Sequence, residues 1–331
     1  MNSFGRFFRV HIFGESHGES VGITIDGCPS GLSLVAEDVL PDLVRRKGGN
    51  QKGATPRVED DYPIFKSGIF NGKTTGFPIT ILFENKNTRS EDYNKQRSIP
   101  RPGHADWVAH QKFGGHEDYR GGGHFSARLT TGIVAAGAIA KMLLTSVTIS
   151  AQVTEIAGEQ DLEKGLQKGI DAKDSVGGII ECKIKGLPVG LGEPYFDSIE
   201  SVLSHILFAI PAVRGVEFGT GFAAAKMFGS QHNDAIENME GQTRSNHAGG
   251  VVGGITNGNE LVFRLAVKPT SSTPKQQNSL NWDTQKTEDF SIKGRHDLCV
   301  ALRAPVIVEA VTALVIADFM LQEQLIKRVI V

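Results

Sequence analysis

The stretch from 101 to 141 constrains this chain more than any other, because its two halves have opposite characters. The first half sets histidines, arginines and aspartates between glycines, and the second is a run of alanine, glycine, isoleucine and valine. Glycine loses the most backbone freedom on folding, so the run Gly121-Gly122-Gly123 indicates positive φ angles or a close approach to a ligand. Residues 130–144 have the spacing of a small-residue helix. We interpret the polar half as a site and the apolar half as its buried support.

A glycine loop that leads into a helix offers free N–H groups and a positive dipole end to an anion, typically a phosphate. Glycine loops before helices are also common as ordinary turns, and that interpretation stays open. The histidines and arginines around this loop favour a functional site.

The composition excludes several classes of protein. A chain of 331 residues with 40% hydrophobic and 22% charged residues can bury a large core in one or two domains. The formal net charge of −2 argues against a general nucleic-acid or membrane-surface binder. No apolar run is expected to span a bilayer, and residues 1–14 do not lead into a signal-peptide core. Three distant cysteines favour neither disulfides nor a thiolate metal site. The sequence predicts a cytoplasmic protein.

Two further loops also place histidine or basic residues next to glycines. Residues 14–18 hold His17 between two predicted strands, where it either faces a cavity or makes local hydrogen bonds in a hairpin turn. A predicted helix at 35–47 ends in three basic residues and precedes a basic, glycine-rich loop at 48–58. This loop is either a solvated helix end or a mobile lid over an anion.

The remaining pattern predicts strands at 64–70 and 75–83 around an Asn71-Gly72 hairpin turn, further strands at 147–157, 177–184 and 261–267, and a long apolar helix at 305–321. Residues 17–27 faintly resemble residues 247–258. Arg101 and His104 before helix 130–144 likewise parallel Arg295 and His296 before helix 305–321. Two similar halves would pack as layers.

The polar loops together favour a site for a small polyanion. Arginine binds carboxylate and phosphate through two parallel hydrogen bonds, and histidine exchanges protons near neutral pH. The histidine spacings match no metal-binding motif, so no metal is expected. Residues 268–272 are either a proline turn or a cradle for a phosphate tail. The absence of a P-loop and of a strand-borne G-x-G-x-x-G disfavours ATP and a nicotinamide dinucleotide in a Rossmann domain.

Six strings of residues carry a resemblance to a known family. They are F-G-E-S-H-G (13–18), R-P-G-H-A-D (101–106), R-G-G-G-H-F-S-A-R (120–128), S-N-H-A-G-G (245–250), K-P-T-S-S (268–272) and G-R-H-D (294–297). These uncommon strings occur in order over nearly the whole chain and together resemble chorismate synthase. The resemblance implies a 1,4-anti elimination of phosphate from 5-enolpyruvylshikimate 3-phosphate to give chorismate, the last step of the shikimate pathway. Reduced FMN is required although no net redox change occurs.

The resemblance also implies roles for individual residues. His17 would protonate the leaving phosphate, His104 would protonate the reduced flavin, and Asp297 would help the flavin N5 act as the base. The hydrogen that is lost is not acidified by an adjacent carbonyl, so the cofactor is expected to do the difficult chemistry. The implied cofactor-binding residues are His124, Phe125, Ser126, Pro211, Ala212, Gly253, Lys268, Pro269, Thr270, Ser271, Ser272, Arg295 and Arg46. The implied substrate-binding residues are Ser16, Arg45, Arg57, Arg101 and Arg128.

Some positions depart from the family pattern. His124 and Phe125 stand where many relatives have Arg-Ser, Ile133 replaces a frequent arginine, and Leu298 replaces a proline. Lys52 stands where an arginine is common, which bears on a contact with NADPH, a possible reductant of the flavin.

The fold implied by the resemblance is α+β, a layered sandwich of helices between antiparallel β-sheets, usually in a homotetramer. We expect one domain over 1–331 with an internal two-fold pseudo-repeat. Two other classes stay open: a flavin-dependent oxidoreductase, which would consume reductant stoichiometrically, and a non-catalytic anion-binding protein, in which His17 and Asp297 would not matter.

Overall fold

Two antiparallel sheets lie on opposite sides of a layer of helices, as the sequence predicted for the fold class. The structure is a computed structural model that describes residues 1–47, 52–54, 59–86, 97–292 and 296–330. Two predicted site residues, Arg57 and Arg295, lie outside the described residues, as does most of the basic loop at 48–58.

The first sheet comes from the N-terminal part of the chain and has the strand order β1-β2-β3-β7-β4. Alternate residues of its central strands are fully buried, so one face of the sheet covers the core. The strands of this part are β1 (Ser3–Phe4), β2 (Arg9–Gly14), β3 (Ser20–Asp26), β4 (Ile64–Ser67), β5 (Ile69–Phe70), β6 (Lys73–Thr74) and β7 (Ile79–Glu84).

The predicted Asn71-Gly72 turn is confirmed, because both residues have positive φ and join β5 to β6. The strands around it are shorter than predicted. Gly68 has φ +81°, and a Cβ there would lie 2.6 Å from the Ile79 side chain. The chain therefore bends at Gly68, and β4 rather than β5 pairs with β7.

The second sheet has the strand order β10-β13-β9-β8, again antiparallel throughout. Two hairpins accompany it, and the sequence did not predict the β14–β15 pair, whose residues are mostly polar. The strands are β8 (Thr148–Ile156), β9 (Gly178–Lys185), β10 (Val213–Phe218), β11 (Val251–Val252), β12 (Ile255–Thr256), β13 (Leu261–Val267), β14 (Gln277–Asn281) and β15 (Lys286–Phe290).

Two long helices form the middle layer, and their small residues allow close packing. The helices are α1 (Ala36–Arg46), α2 (Asp106–Phe113), α3 (Thr130–Leu143), α4 (Leu162–Ala172), α5 (Ile199–Leu207), α6 (Gly229–His232) and α7 (Pro305–Gln322). Helix α3 packs on β3 of the first sheet, and α7 packs on β8 and β9 of the second. At their crossing a Cβ on Gly137 would lie 2.3 Å from the Ala310 Cβ.

By length and composition α7 could cross a membrane, so the expectation that no run qualifies is wrong for this helix. It carries two acidic residues, and 83% of its apolar window is buried inside the protein. The core helix of a soluble protein has these properties.

The two ends of the chain meet on the first half of the fold. Asp318 of α7 accepts hydrogen bonds from the backbone N–H groups of Arg6, Phe7 and Phe8, at 3.0, 2.6 and 2.7 Å. Farther on, Val329 forms a parallel bridge with Ser30. The C-terminal segment therefore completes the structure around the N-terminal strands.

Each half of the fold contains one antiparallel sheet and one long helix, an arrangement that the expected pseudo-repeat would produce. The similar segments 17–27 and 247–258 do not occupy equivalent positions. Residues 17–27 lead into the first sheet, whereas β11 and β12 in the second segment form a separate two-stranded sheet.

Candidate active site

The main cavity opens between the two halves of the fold and has a volume of about 620 Å³. Most of the predicted site residues line it, although they come from separate parts of the sequence. These are His17, Arg46, Arg101, His104, His124, Phe125, Ser126, Arg128, Pro211, Ala212, Lys268, Pro269, Thr270, Ser271, Ser272 and Asp297.

His17 lies in the loop between β2 and β3 and is 8% exposed. Gly121 (φ +60°) packs directly on its ring, because a Cβ there would lie 2.2 Å from the His17 ring atoms. The neighbouring Ser16 is fully buried, and its Oγ has no hydrogen-bond partner among the described residues. Gly122 and Gly123 also have positive φ. The glycine run therefore allows the backbone to approach His17.

The glycine run does not enter the helix directly. The run lies inside a short 3-10 segment, Arg120–Phe125, and a second 3-10 turn, Ala127–Leu129, follows before α3 begins. Within this connection the Ser126 Oγ accepts a hydrogen bond from the Arg128 N–H at 3.2 Å, and the His124 Nδ1 lies 2.9 Å from the Gly14 carbonyl oxygen. The connection therefore lines the cavity together with Thr130, the first residue of α3.

His104 and Arg101 share one carboxylate, that of Asp106 at the beginning of α2. Asp106 accepts hydrogen bonds from the Arg101 Nε and Nη2, each at 2.7 Å, and lies 2.6 Å from the His104 Nδ1. Burial alone would raise the pKa of Asp106, but the hydrogen bonds from Arg101 and His104 hold it well below its usual range. Asp106 is therefore ionised whenever the site is folded at neutral pH.

A second buried cluster joins Arg46 and Arg128 through Asp61, which has a positive φ of 50°. Arg128 donates to Asp61 through Nη1 and to the Asn85 Oδ1 at 2.9 Å, while the Arg46 Nη1 lies 3.6 Å from Asp61. Burial lowers the pKa of Arg46 to about 9, against the attraction of Asp61. One carboxylate thus lies between two buried guanidinium groups, which favours an additional anion.

Residues 268–272 follow β13 and contact the loop of His104. The Lys268 Nζ donates to the Gly103 carbonyl oxygen at 2.5 Å and to the Ser271 Oγ at 2.7 Å. Burial and the neighbouring Arg214 lower the pKa of Lys268. The Thr270 Oγ1 is buried and has no hydrogen-bond partner within the described part of the chain. This wall offers a cation and hydroxyls to a ligand.

Asp297 lies opposite, and Arg303 donates to it from Nη1 at 3.1 Å. Arg303 also donates from Nε to the Arg46 carbonyl oxygen at 3.0 Å, which links this wall to α1. His296 is beside Asp297, and burial followed by the charge of Arg101 lowers its pKa.

Three predicted site residues do not line the main cavity. Arg45 points to α7, where its Nη1 and Nη2 donate to Glu309 at 2.7 Å each. Gly253 lies in the turn between β11 and β12, and Ser16 is fully buried and does not line the cavity. Arg45 and Arg46 diverge because adjacent helical residues point in different directions.

Several cavity residues were not predicted as site residues: Lys47, Glu59, Asp61, Arg214, His296 and Arg303. Nothing in the sequence around Asp61 indicates that it belongs to the site. The sequence around Arg303 does give an indication, since Arg303 is a cation in an otherwise apolar segment that leads into α7.

The lining has a clear excess of positive charge. Among the described residues, seven lysines and arginines line the cavity against three carboxylates. The described residues contain no group of three or more metal-ligating side chains. The arrangement suits a small, multiply charged anion next to groups that carry protons.

Comparison with known proteins identifies the family of this chain. The family model for chorismate synthase matches residues 8–321. A chorismate synthase of Chitinophaga pinensis is 64% identical over 330 residues, covering 99% of both chains. One from Dehalococcoides mccartyi is 42% identical, again over 99% of each. A crystal structure of chorismate synthase superposes with a TM-score of 0.74 at 26% identity, covering 97% of this chain and 93% of that one. The chain therefore belongs to the chorismate synthase family, the carbon–oxygen lyases that form chorismate from 5-enolpyruvylshikimate 3-phosphate in aromatic amino acid biosynthesis.

Proposed function

We propose that this chain carries out the elimination of its family in the main cavity, with reduced FMN as the cofactor. The observation that carries the proposal is the excess of cationic side chains around His17, His104 and Asp297. A substrate with one phosphate and two carboxylates would balance that charge, and Arg101 and Arg128 would contact it.

The residues on the wall formed by 268–272 fit a flavin mononucleotide. The Lys268 ammonium and the Ser271 hydroxyl lie together, and the buried Thr270 hydroxyl would gain a partner from a phosphate oxygen. Phe125, Pro211 and Ala212 would supply apolar surface to the flavin ring. When bound, reduced FMN supplies electron density as phosphate leaves and recovers it with the hydrogen, so no net oxidation occurs.

The protein groups would move and hold protons. His17 would deliver a proton to the departing phosphate, and its burial against Gly121 keeps bulk water away. His104 would hold a proton toward the cofactor. Asp297, held by Arg303, would assist removal of the hydrogen on the opposite wall.

We propose that the protein assembles as a homotetramer through an exposed apolar surface. Four large apolar side chains in the second half of the chain are exposed: Phe196, Phe222, Phe228 and Met239, at 93%, 83%, 77% and 98%. A contiguous exposed apolar surface marks an interaction site, and a tetramer interface would cover side chains of this kind. Sedimentation velocity would test the assembly, and a Phe228→Ser substitution should shift the protein toward smaller species.

The expected contact between Gly253 and FMN fits this assembly. Gly254 packs on Ser198 just before α5, whereas the cavity residues 208–213 follow the end of that helix. The nine residues of α5 span about 13 Å. Gly253 would therefore reach the cofactor from a neighbouring copy. A cytoplasmic location is consistent with three free, buried cysteines.

An anaerobic assay tests the reaction. The purified protein would be mixed with photoreduced FMN and 5-enolpyruvylshikimate 3-phosphate, and phosphate release and the flavin spectrum would be followed together. Many turnovers with the flavin still reduced support the proposal. Stoichiometric oxidation of the flavin would indicate an oxidoreductase, and flavin binding without phosphate release would indicate an anion-binding protein.

The same phosphate-release assay, repeated with NADPH and oxidised FMN, identifies the source of the electrons that reduce the flavin. The family resemblance implies a nicotinamide-phosphate contact from an arginine at the position of Lys52, and the lysine here departs from that pattern. The exposed Lys52 donates to Gln167 at 3.4 Å. Turnover with NADPH and oxidised FMN would mean that the chain reduces its own flavin. Turnover with photoreduced FMN alone would mean that an outside reductase supplies the electrons.

A further inference from the structure

Asp106 lies behind His104, on the side away from the main cavity. It lines a smaller cavity of about 50 Å³, whereas His104 lines both cavities. Asp106 is therefore placed to act on His104 without touching a ligand in the main cavity.

The contact between Asp106 and His104 fixes the position of a proton. Two groups compete for the His104 Nδ1: the Asp106 Oδ1 at 2.6 Å needs an N–H there, whereas the Arg101 Nη2 at 3.0 Å can only donate and needs a lone pair. The shorter contact favours the N–H, because without it the lone pair would face an ionised carboxylate oxygen at 2.6 Å. The ring then exchanges its other proton at Nε2. On that edge Gly122 leaves room for the ring, since a Cβ there would lie 3.3 Å from Nε2.

The same carboxylate holds Arg101. It accepts hydrogen bonds from the Arg101 backbone N–H at 3.0 Å and from two guanidinium nitrogens, which leaves Nη1 to contact the Ser272 Oγ at 3.3 Å. The Arg101 Nη2 also lies 3.0 Å from the His104 Nδ1 and competes with Asp106 for that nitrogen. The nearby His296 has its own pKa lowered by burial and by the charges of Arg101 and His104. The other charged or titratable groups near the small cavity are Arg97, His110, Glu117, Asp118 and Tyr119.

We propose that Asp106 is a positioning residue that keeps the His104 proton on Nδ1 and presents Nε2 to the cofactor. The inference rests on the proposed function and deepens it, because it names Asp106 as the residue that orients the His104 ring in that reaction.

The first test needs no substitution. The full-length protein labelled with ¹⁵N-histidine would be studied by NMR with and without FMN, and His104→Ala would assign the resonance. We expect neutral His104 in the wild type to carry its proton on Nδ1. A neutral ring with the proton on Nε2 would overturn the proposal.

The second test uses Asp106→Asn, with Glu117→Gln as the matched control. Glu117 also faces a histidine, His110, at 3.4 Å, but neither lines the main cavity. Asp106→Asn should mix the two His104 tautomers, lower kcat about 10- to 100-fold and move the alkaline limb of the kcat profile to lower pH. Glu117→Gln should leave all three readouts unchanged.

A double variant separates positioning from a structural effect. In the His104→Ala background, Asp106→Asn should cause no further loss of kcat. An equal loss in both backgrounds would show that Asp106 acts independently of His104 and would overturn the inference. If the wild type releases no phosphate with reduced FMN, the proposed function fails, whereas the NMR result still decides the contact between Asp106 and His104.

Discussion

Gly137 of α3 and Ala310 of α7 are in direct contact across the core, so closely that a Cβ on Gly137 would lie 2.3 Å from the Ala310 Cβ and 2.4 Å from its Cα. This contact joins the two halves of the fold, because each helix covers a different sheet.

Gly137→Ala should therefore destabilise the protein, because part of the clash is with backbone that cannot rotate away. We expect a loss of about 1–3 kcal/mol in the free energy of unfolding, measured by urea denaturation. Gly229→Ala is the control, since no atom lies within 4 Å of a Cβ at that position. Equal stability of the two variants would contradict the close packing.

The second prediction concerns Glu309, which accepts hydrogen bonds from Arg45, from Lys141 and from the Ala151 N–H. Burial would raise the pKa of Glu309, but Arg45 and Lys141 lower it below its ordinary value of 4.5. Its contribution to stability is therefore fully present above pH 4.5 and is lost as the pH falls through the lowered pKa.

Glu309→Gln should cost about 2 kcal/mol at pH 7, as for a hydrogen-bonded charged group. The difference from wild type should shrink as the pH falls below that window, when unfolding is followed by circular dichroism. Asp26→Asn, which removes an exposed pair with Arg9, should change stability by less than about 0.5 kcal/mol. A pH-independent difference for Glu309→Gln would argue against the charged contact.

The third prediction concerns Asp61, the buried partner of Arg46 and Arg128. Asp61→Asn keeps the shape and tolerates the positive φ, but leaves two buried guanidinium groups without their carboxylate. We expect a lower melting temperature that inorganic phosphate raises more in the variant than in the wild type. The control is Asp60→Asn, because the Asp60 carboxylate is exposed and pairs with the exposed Lys86. An identical phosphate effect in all three proteins would contradict an anion site at these arginines.

The fourth prediction addresses the cofactor. Lys268→Ala should weaken FMN binding about 10- to 100-fold in an anaerobic fluorescence titration, because a partly buried charged contact is worth about 1.4–3 kcal/mol. Lys275→Ala, at an exposed lysine outside the cavity, should bind FMN like the wild type. Unchanged affinity of Lys268→Ala would remove residues 268–272 from the cofactor site.

The fifth prediction concerns the acid. His17→Ala should reduce kcat about 10²- to 10⁴-fold while FMN binding is retained, as expected on loss of a general acid. His205→Ala, at an exposed histidine that contacts Phe4, provides the comparison. If His17→Ala and Asp297→Ala both bound ligand and matched the wild type in every assay, the anion-binding class would be correct.

The sequence predicted those elements of the fold that are specified by residues close together in the chain. The small, apolar residues after Leu129 and after Ala304 allow only buried helices, and α3 and α7 lie within about a residue of the expected ranges. The Asn71-Gly72 turn was equally local. The hairpin β14–β15 was missed because its polar residues show no apolar alternation that marks one face as buried.

The site was predictable where the residue type carries the chemistry and not where the fold supplies the partner. Nothing in the pair Asp60-Asp61 shows that only the second carboxylate reaches two arginines distant in the chain. Likewise, the basic run at the end of α1 does not reveal that Arg45 contacts Glu309 while Arg46 faces the cavity, because that depends on the direction from which α7 packs.

The contact of Asp318 with the N–H groups of Arg6, Phe7 and Phe8 has a consequence for biosynthesis. The ribosome makes the N-terminal strands first, and domains generally begin to fold from that end. The carboxylate that satisfies this turn is made 311 residues after Phe7, and the Val329 segment that bridges to Ser30 follows it. A nascent chain that has finished its first sheet must therefore hold that turn open to solvent until α7 has been made, and any truncated product lacking α7 would expose it permanently to chaperones and proteases.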